Sequence, residues 1–593
     1  MRKGLFSLII MLAAILLLVL AGCYMPGGPV PEEKHPPASR AWTTADVDAA
    51  VTMTMEKIYS PAPTTNGTPP GECNYIHYLR FRPKTGSANM ADADAIIVLI
   101  PGLAMGATSL ECIGREMVYM ALEQRGKHIE VWALDRRPNN LEDLTGLNAA
   151  QEAYDTQVAL DYYYNGVAID GKKFAGYLTN ADVPYLSEFG LELVIKDVYT
   201  LITTNVPDPA MRRQKVFVGG HSMGGPFAAL FAGWDFDGNP ETLDDAGYMN
   251  CAGLIGLDTL LRPDAFSPGA LTLQAFNLDP LTAGDEEFYQ EMIQGIREGQ
   301  LPRMILSSGH ETYGALELSA MEAAWHPDAE STLLDRIPLS PSLRLLLQVL
   351  HSRNIENFFN HVPSIKDFRF TNEALFGVLL DNNFNPITIL QTSMGFLNGG
   401  AVVQKEFPPP QYIALIPSLK NMINMDGQFI ANDAGPSQSQ LGTGPLYTWA
   451  NFDEVGNAAD PNYMSTDGSI TYSTVTEEVS DIQDVARSMF HGPTDAFELY
   501  FSYRLICDFY AAGEPFGPDY GLNYLHGDEV AGVPQIDFVA ENGPLAGSVD
   551  NLPLEIRVIE GYNHFDVCTA SPERPSRRPN EVIDPVLDFI FGG

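Results

Sequence analysis

A serine held between glycines on a sharp turn can act as a nucleophile, and Lys215–Gly233 (KVFVGGHSMGGPFAALFAG) carries one. The short apolar run Lys215–Val218 leads into Gly220-His221-Ser222-Met223-Gly224, and the small-residue run Pro226–Ala232 follows. A strand, a G-x-S-x-G turn and a helix in that order lift the hydroxyl clear of the backbone. Side chains at 220 or 224 would strike the flanking strand and helix, which is why glycine is needed there. A serine hydroxyl attacks poorly until a base takes its proton. Ile556–Val567 (IRVIEGYNHFDV) offers that base: a strand-like run ends at Glu560, Gly561 turns the chain, and His564 sits in the loop. His221, locked beside Ser222, is expected to brace the turn. The base needs a carboxylate on its far ring nitrogen to fix tautomer and orientation. Asp258, at the end of the apolar run in GLIGLDTLL, and Glu541, in QIDFVAENGP, are the two candidates.

Such residues can meet only if the elements carrying them lie side by side. Strand-like runs occur at Asn74–Pro83, Ala95–Ile100, Ile129–Leu134, Lys215–Val218, Gly253–Leu257, Gln535–Ala540 and Leu554–Ile559. Ser109–Gln124 and Tyr185–Thr203 carry apolar residues at helical spacing, and Asp584 is placed to cap a last helix running to Phe591. Continuous apolar strands alternating with helices predict an α/β fold with a mostly parallel sheet covered on both faces. The middle reads differently. Asp285–Gly299, Ser340–Arg353 and Ala486–Ala511 suggest helices, whereas Asp433–Gly444 and Asn457–Ser469 suggest loops. The expected organisation is a core in two parts, 41–261 and 531–593, interrupted by a mainly helical cap insertion at 262–530. Large apolar residues crowd that insertion, as between Phe358 and Leu380, and most are expected to be ordinary core.

These motifs together make the chain resemble the α/β-hydrolase superfamily, over roughly 75–265 and 530–593. The resemblance implies the α/β-hydrolase fold, a cap over the active site, no cofactor, and usually ester hydrolysis. The G-H-S-M-G-G form is shared by many lipases, esterases and thioesterases. By the same match the acid position after the seventh strand falls on Gly543, a departure from the family pattern that leaves Asp258 and Glu541 both open. The turn Pro101-Gly102-Leu103-Ala104-Met105-Gly106 resembles the His-Gly oxyanion loop with Pro in place of His. That match assigns the two oxyanion N–H donors to Leu103 and Met223. The expected reading is a lipase- or esterase-like serine hydrolase acting on small-molecule or lipid esters with apolar acyl groups. An acyltransferase or amidase on the same triad, or a non-catalytic envelope lipoprotein that uses the fold for binding, are the alternatives.

The N-terminus adds a location. Met1-Arg2-Lys3 precedes the apolar run Leu5–Leu20, and Leu20-Ala21-Gly22-Cys23 closes it. Charge, apolar stretch and small-residue ending are the order of a secretory signal. The ending resembles the bacterial lipobox, which predicts a signal peptide at 1–22, acylation of Cys23, a Pro- and Gly-rich tether at 23–40, and membrane attachment in the cell envelope. The formal charge of −40, from 75 acidic and 35 basic residues, argues against nucleic-acid partners, whose phosphates need Lys and Arg. Of six cysteines, the five beyond Cys23 could form disulfides in an oxidising compartment. Trp234–Asp245 (WDFDGNPETLDD) alternates acids as a calcium loop does, but lacks the EF-hand spacing and final Glu, and no metal site is expected.

Overall fold

A computed structural model describes residues 43–263, 285–305, 309–413, 423–434, 443–455, 473, 477–545, 556–572 and 580–592. The signal, Cys23, the tether, the Asn457–Ser469 loop and most of Asp433–Gly444 lie outside the described residues.

Every residue of the runs Ala95–Ile100, Ile129–Asp135, Val216–His221 and Gly253–Leu257 is buried, so these strands need cover on both faces. They occupy the middle of an eight-stranded sheet. Its strands are β1 (Val51–Tyr59), β2 (Tyr75–Pro83), β3 (Ala95–Ile100), β4 (Ile129–Asp135), β5 (Val216–His221), β6 (Gly253–Leu257), β7 (Gln535–Ala540) and β8 (Ile556–Ile559), in the order β1-β2-β4-β3-β5-β6-β7-β8. β2 runs antiparallel to β1 and β4, and all remaining neighbours are parallel. Register places Ile97 against Val131 and Phe217, and Val218 against Leu254. This strand order and the single antiparallel end define the α/β-hydrolase fold. β1, whose alternation is broken by Lys57 and Glu56, is an edge strand beyond the expected set.

Helices cover both faces. On one side, α1 (Glu111–Arg125) and the terminal helix Ile583–Phe591 close over Leu79, Ile97 and Phe538. On the other, α2 (Leu191–Asn205) and α3 (Gly224–Ala232) share a cluster with Val98, Val218 and Leu254. Helices α4 (Glu286–Glu298) and α5 (Tyr503–Ala511) join that second cluster, so parts of the middle segment pack on the sheet's own helices. The terminal helix begins at Ile583 rather than at a capping Asp584. Asn580 Oδ1 accepts the Val582 and Ile583 N–H groups instead.

A third apolar cluster forms a roof. It draws on residues between Met304 and Tyr500, and also on Ala150–Phe189 from before β5, so two excursions of the chain build it. Beside helices such as His310–Trp325 and Asn372–Leu380, the roof holds a three-stranded and a two-stranded sheet. Phe368, Phe370, Leu375, Phe376 and Leu379 are roof core, whereas Phe359 is exposed. The expected helix Ala486–Ala511 is two helices, Ile482–Ser488 and α5, joined by an irregular strap of turns and bends. Gly492-Pro493 explains the break: proline disfavours helical geometry in the residue before it, and Gly492 sits at φ +133°. Cys73, Cys112, Cys251, Cys507 and Cys568 are buried thiols with no disulfide among them.

Close strand packing is testable at Gly219, where an added Cβ would lie 2.3 Å from the Ile255 carbonyl oxygen. Gly219→Ala is expected to lower stability by about 1–3 kcal/mol, the usual cost of overpacking, read as a lower urea midpoint; an unchanged midpoint would contradict this packing.

Candidate active site

Three strand ends at one sheet edge build the site. β5 ends at His221, and Ser222 follows with φ +52°, a left-handed conformation that non-glycine residues hold only when neighbours enforce it. The Ser222 N–H donates to the Leu257 carbonyl at 3.0 Å and its own carbonyl accepts from Gly225 N–H at 3.1 Å. The glycines leave no alternative. A Cβ on Gly224 would sit 2.0 Å from the Ile100 carbonyl oxygen, and one on Gly220 2.6 Å from the same atom.

β6 ends one residue before Asp258, which is fully buried with φ +42°. Its Oδ1 accepts the Ala540 N–H at 2.8 Å, and its Oδ2 meets Nδ1 of His564 in a short contact. With Nδ1–H held by the carboxylate, Nε2 of His564 is left as the proton acceptor. Gly543 now has a physical reason: a Cβ there would lie 2.5 Å from Asp258 Oδ2. The empty family position is the space the Asp258 carboxylate occupies. Glu541 is elsewhere, exposed, with Oε2 accepting the Gly561 N–H at 2.8 Å.

His221 is buried, and burial followed by the His564 charge pushes its pKa well below the usual imidazole value. Its Nε2 lies 3.0 Å from the His564 carbonyl oxygen. A carbonyl only accepts, so Nε2 carries the proton and His221 braces the His564 loop. The two rings lie 4.4 Å apart. Asp566, two residues beyond His564, fixes that loop to the roof. Its Oδ1 accepts from Thr392 Oγ1, Ser393 N–H and Ser480 Oγ, and its Oδ2 from Ser393 Oγ, Asn563 N–H and Asn563 Nδ2.

Leu103 lies in the turn after β3 and Met223 at the start of α3. Among the described residues neither backbone N–H donates to a protein acceptor. Gly102 sits against the serine: a Cβ there would be 3.2 Å from Ser222 Cβ. The turn is held from behind by Arg136, which is 2 % exposed. Its guanidinium donates to the carbonyls of Pro101 (2.7 Å), Gly102 (2.7 Å) and Met105 (2.8 Å), and to Glu498 Oε2 on the strap (2.6 Å). Carbonyls drawn back to Arg136 fix the backbone of the turn on either side of Leu103. Burial pushes the Glu498 carboxyl up to about 7 against the pull of Arg136. The strap also pairs with the turn directly, through Gly106 N–H to Ala496 O (2.8 Å) and Glu498 N–H to Ala104 O (2.9 Å). Asp135, next to Arg136, accepts Ala107 N–H and Thr494 Oγ1. Burial raises its carboxyl to about 6. Neither Asp135 and Arg136 nor Glu498 and Asp566 were singled out by motif. The signal available was the charged run Asp-Arg-Arg-Pro closing a mostly apolar strand.

Asp235, Asp237 and Asp245 place ligand atoms within 4.8 Å of one another. Asp235 is already engaged by Gly238 N–H, Asn239 N–H and His526, and Asp237 by Asn239 N–H and Thr242, which suffices to explain the turn.

No protein-family model matches the chain, and no curated protein matches it. Among solved structures it is similar to a candidate lipase of Sulfolobus solfataricus (13 % identity, 91 % of this chain and 94 % of that one, TM-score 0.38). It is also similar to a laboratory-evolved variant of potato epoxide hydrolase (11 % identity, 91 % and 99 %, TM-score 0.29) and to a Pyrococcus furiosus esterase (12 % identity, 44 % and 68 %, TM-score 0.18). At such scores the fold rests on its own strand order.

The geometry separates the two acids. Asp258→Asn is expected to lower kcat on an activated ester by about 10⁴-fold, the scale seen when a triad acid becomes an amide, while Glu541→Gln leaves it unchanged. Equal losses in both variants would contradict this assignment. Arg136→Lys keeps a cation but cannot span three carbonyls and Glu498. In folded protein it is expected to cut kcat by up to about 10²-fold, the scale of one lost oxyanion donor, with KM nearly constant.

Proposed function

We propose that this protein is a serine hydrolase that cleaves carboxylic esters through an acyl-enzyme. The observation that carries the reading is the buried Asp258–His564 pair set at the same sheet edge as the strained Ser222 turn. In the proposed cycle His564 Nε2 takes the Ser222 proton as Oγ attacks the ester carbonyl. The Leu103 and Met223 N–H groups hold the developing oxyanion, which such donors stabilise more than the ground-state carbonyl. His564 then protonates the leaving alkoxide, and water, deprotonated by the same imidazole, releases the acid. Asp258 keeps the imidazole in the productive tautomer and offsets its transient charge. This chemistry calls on no cofactor or metal.

Apolar acyl esters, small-molecule or lipid, are the substrate class we favour, because the apolar roof cluster reaches Met105 of the oxyanion turn and Phe565 beside His564. Attachment to the cell-envelope membrane is proposed through acylated Cys23. Among the described residues no helix is long and apolar enough to cross a membrane. The same triad could pass the acyl group to an alcohol or open an amide, and the fold could serve binding alone. The buried Asp258–His564 pair and the strained Ser222 turn support the catalytic reading over the last.

A fluorophosphonate probe is expected to label the wild-type protein and not Ser222→Ala; labelling that survives the substitution would remove Ser222 from this role. An ester panel of graded acyl length is expected to favour longer apolar acyl groups. Alcohol acceptors added to it would reveal transfer as transesterified product.

A further inference from the structure

Away from the serine, the roof encloses a cavity of about 170 Å³. The loop at 141–147, the aromatic segment 163–178, the helix His310–Trp325 and the strap at 495–500 form its walls. Tyr163, Tyr164, Phe174, Tyr177 and Tyr500 line it, with Phe174 packed edge-on against Tyr163 (4.9 Å) and Tyr177 (5.1 Å). Glu142, Glu317 and Asp495 line it too, whereas lysine, arginine and histidine are absent from its lining. Asp143, the fourth acid, is paired with Lys172 at 2.7 Å. Glu142 Oε1 accepts the Leu499 N–H. The Glu142 and Glu317 carboxyls each pair with the Asp495 carboxyl, and among the described residues no other group donates to Glu142 Oε2 or Glu317 Oε1; Glu317 is 3 % exposed. A buried carboxylate oxygen with no donor is costly unless a proton or a cation reaches it.

We propose that this cavity binds a small organic cation, an alkylammonium group whose charge is met by Glu142, Glu317 and Asp495 and whose alkyl surface packs on the tyrosine and phenylalanine rings. Aromatic rings attract such cations and share their apolar surface. A hard metal ion would want a shell of oxygens on all sides, which a wall built mainly of aromatic and leucine side chains does not supply. The volume corresponds to roughly six waters at their share of the liquid, enough for a methylated ammonium head and too little for a bulky ester. The site lies on the strap that pairs with the oxyanion turn through Ala496 and Glu498, so an occupant touches the segment that holds the turn.

Charge linkage follows the same geometry. Burial, reinforced by Asp495, pushes the Glu142 and Glu317 carboxyls well above the usual range. The other titratable groups around them are the four tyrosines, Asp143 with its lysine, Asp135, and His310 stacked behind Tyr177. Acids with raised folded-state pKa values favour the fold while protonated and lose that contribution as pH rises through those values. A bound cation replaces the protons, so its affinity rises with pH and its binding releases protons.

The test is calorimetric titration of the Ser222→Ala protein with tetramethylammonium chloride, neopentyl alcohol as the neutral analogue of the same shape, and sodium chloride at matched ionic strength. Ser222→Ala removes turnover, so the result stands whether or not esters are cleaved. Saturable tetramethylammonium binding that tightens as pH rises is expected, with no binding of the alcohol. Adding Glu317→Gln is expected to weaken it about tenfold, equivalent to about 1.4 kcal/mol, and Tyr177→Leu to weaken it as well. Glu142→Gln serves as the second carboxyl variant if Glu317→Gln fails to fold. Equal binding of the neutral alcohol, no saturable tetramethylammonium binding at any pH, or unchanged affinity in the carboxyl variants would overturn the proposal.

Discussion

The arrangement depends on one buried carboxylate. Asp258 is shut away from water in a left-handed conformation, and it holds that place because Ala540 N–H and the His564 ring satisfy its two oxygens. A charge in that position without partners would cost several kcal/mol. The same carboxylate therefore joins three segments far apart in the chain: the end of β6, the last residue of β7 and the loop after β8. Gly543 belongs to this constraint, since any side chain there would displace the carboxylate. Taking the acid from the sixth strand and leaving the seventh bare are thus one decision.

Two of the ties between roof and core end on groups the proposed chemistry needs. Arg136 and Asp135 lead from β4 to the strap, gathering carbonyls on one side and an N–H and a hydroxyl on the other. Asp566 leads from the His564 loop to Thr392, Ser393 and Ser480. Buried, multiply bonded acids and bases set geometry more than they add stability. The roof is in this sense part of the scaffold that aims the oxyanion turn and the imidazole.

How much of this was legible in the sequence follows from where the information lies. Ser222 and the sheet were readable because glycine spacing and fully apolar strands are local signals. His564 was readable because it follows a strand and a turn near the chain's end. The acid stayed ambiguous because the absence of a side chain at Gly543 acquires meaning only once Asp258 is seen filling the gap. The stretch Ala486–Ala511 read as a helix because its apolar residues recur often enough to fit that period, although Gly492-Pro493 marked the break. β1 was missed because charged residues interrupt its alternation on an edge, where one face needs no cover. The roof's small sheets were missed because strands as short as Arg369–Phe370 carry almost no periodic signal.

Acidity in this chain is also an internal property. A surplus of carboxylates on a surface is solvated and says little about fold. Here acids continue inward along the strap: Asp135 and Glu498 beside Arg136, then Asp495 with Glu142 and Glu317 at the aromatic cavity. The first two have a guanidinium at hand, either in direct contact or in the adjoining residue, and one positive charge organises the whole oxyanion turn. The inner three have no such neighbour among the lining residues. Two groups of acids, each with one member on the strap (Glu498 and Asp495), therefore meet burial in different ways, one through a fixed internal cation and the other through whatever proton or cation the cavity admits. The strap runs unbroken from Asp495 in the inner group to Ala496 and Glu498, which pair with the turn.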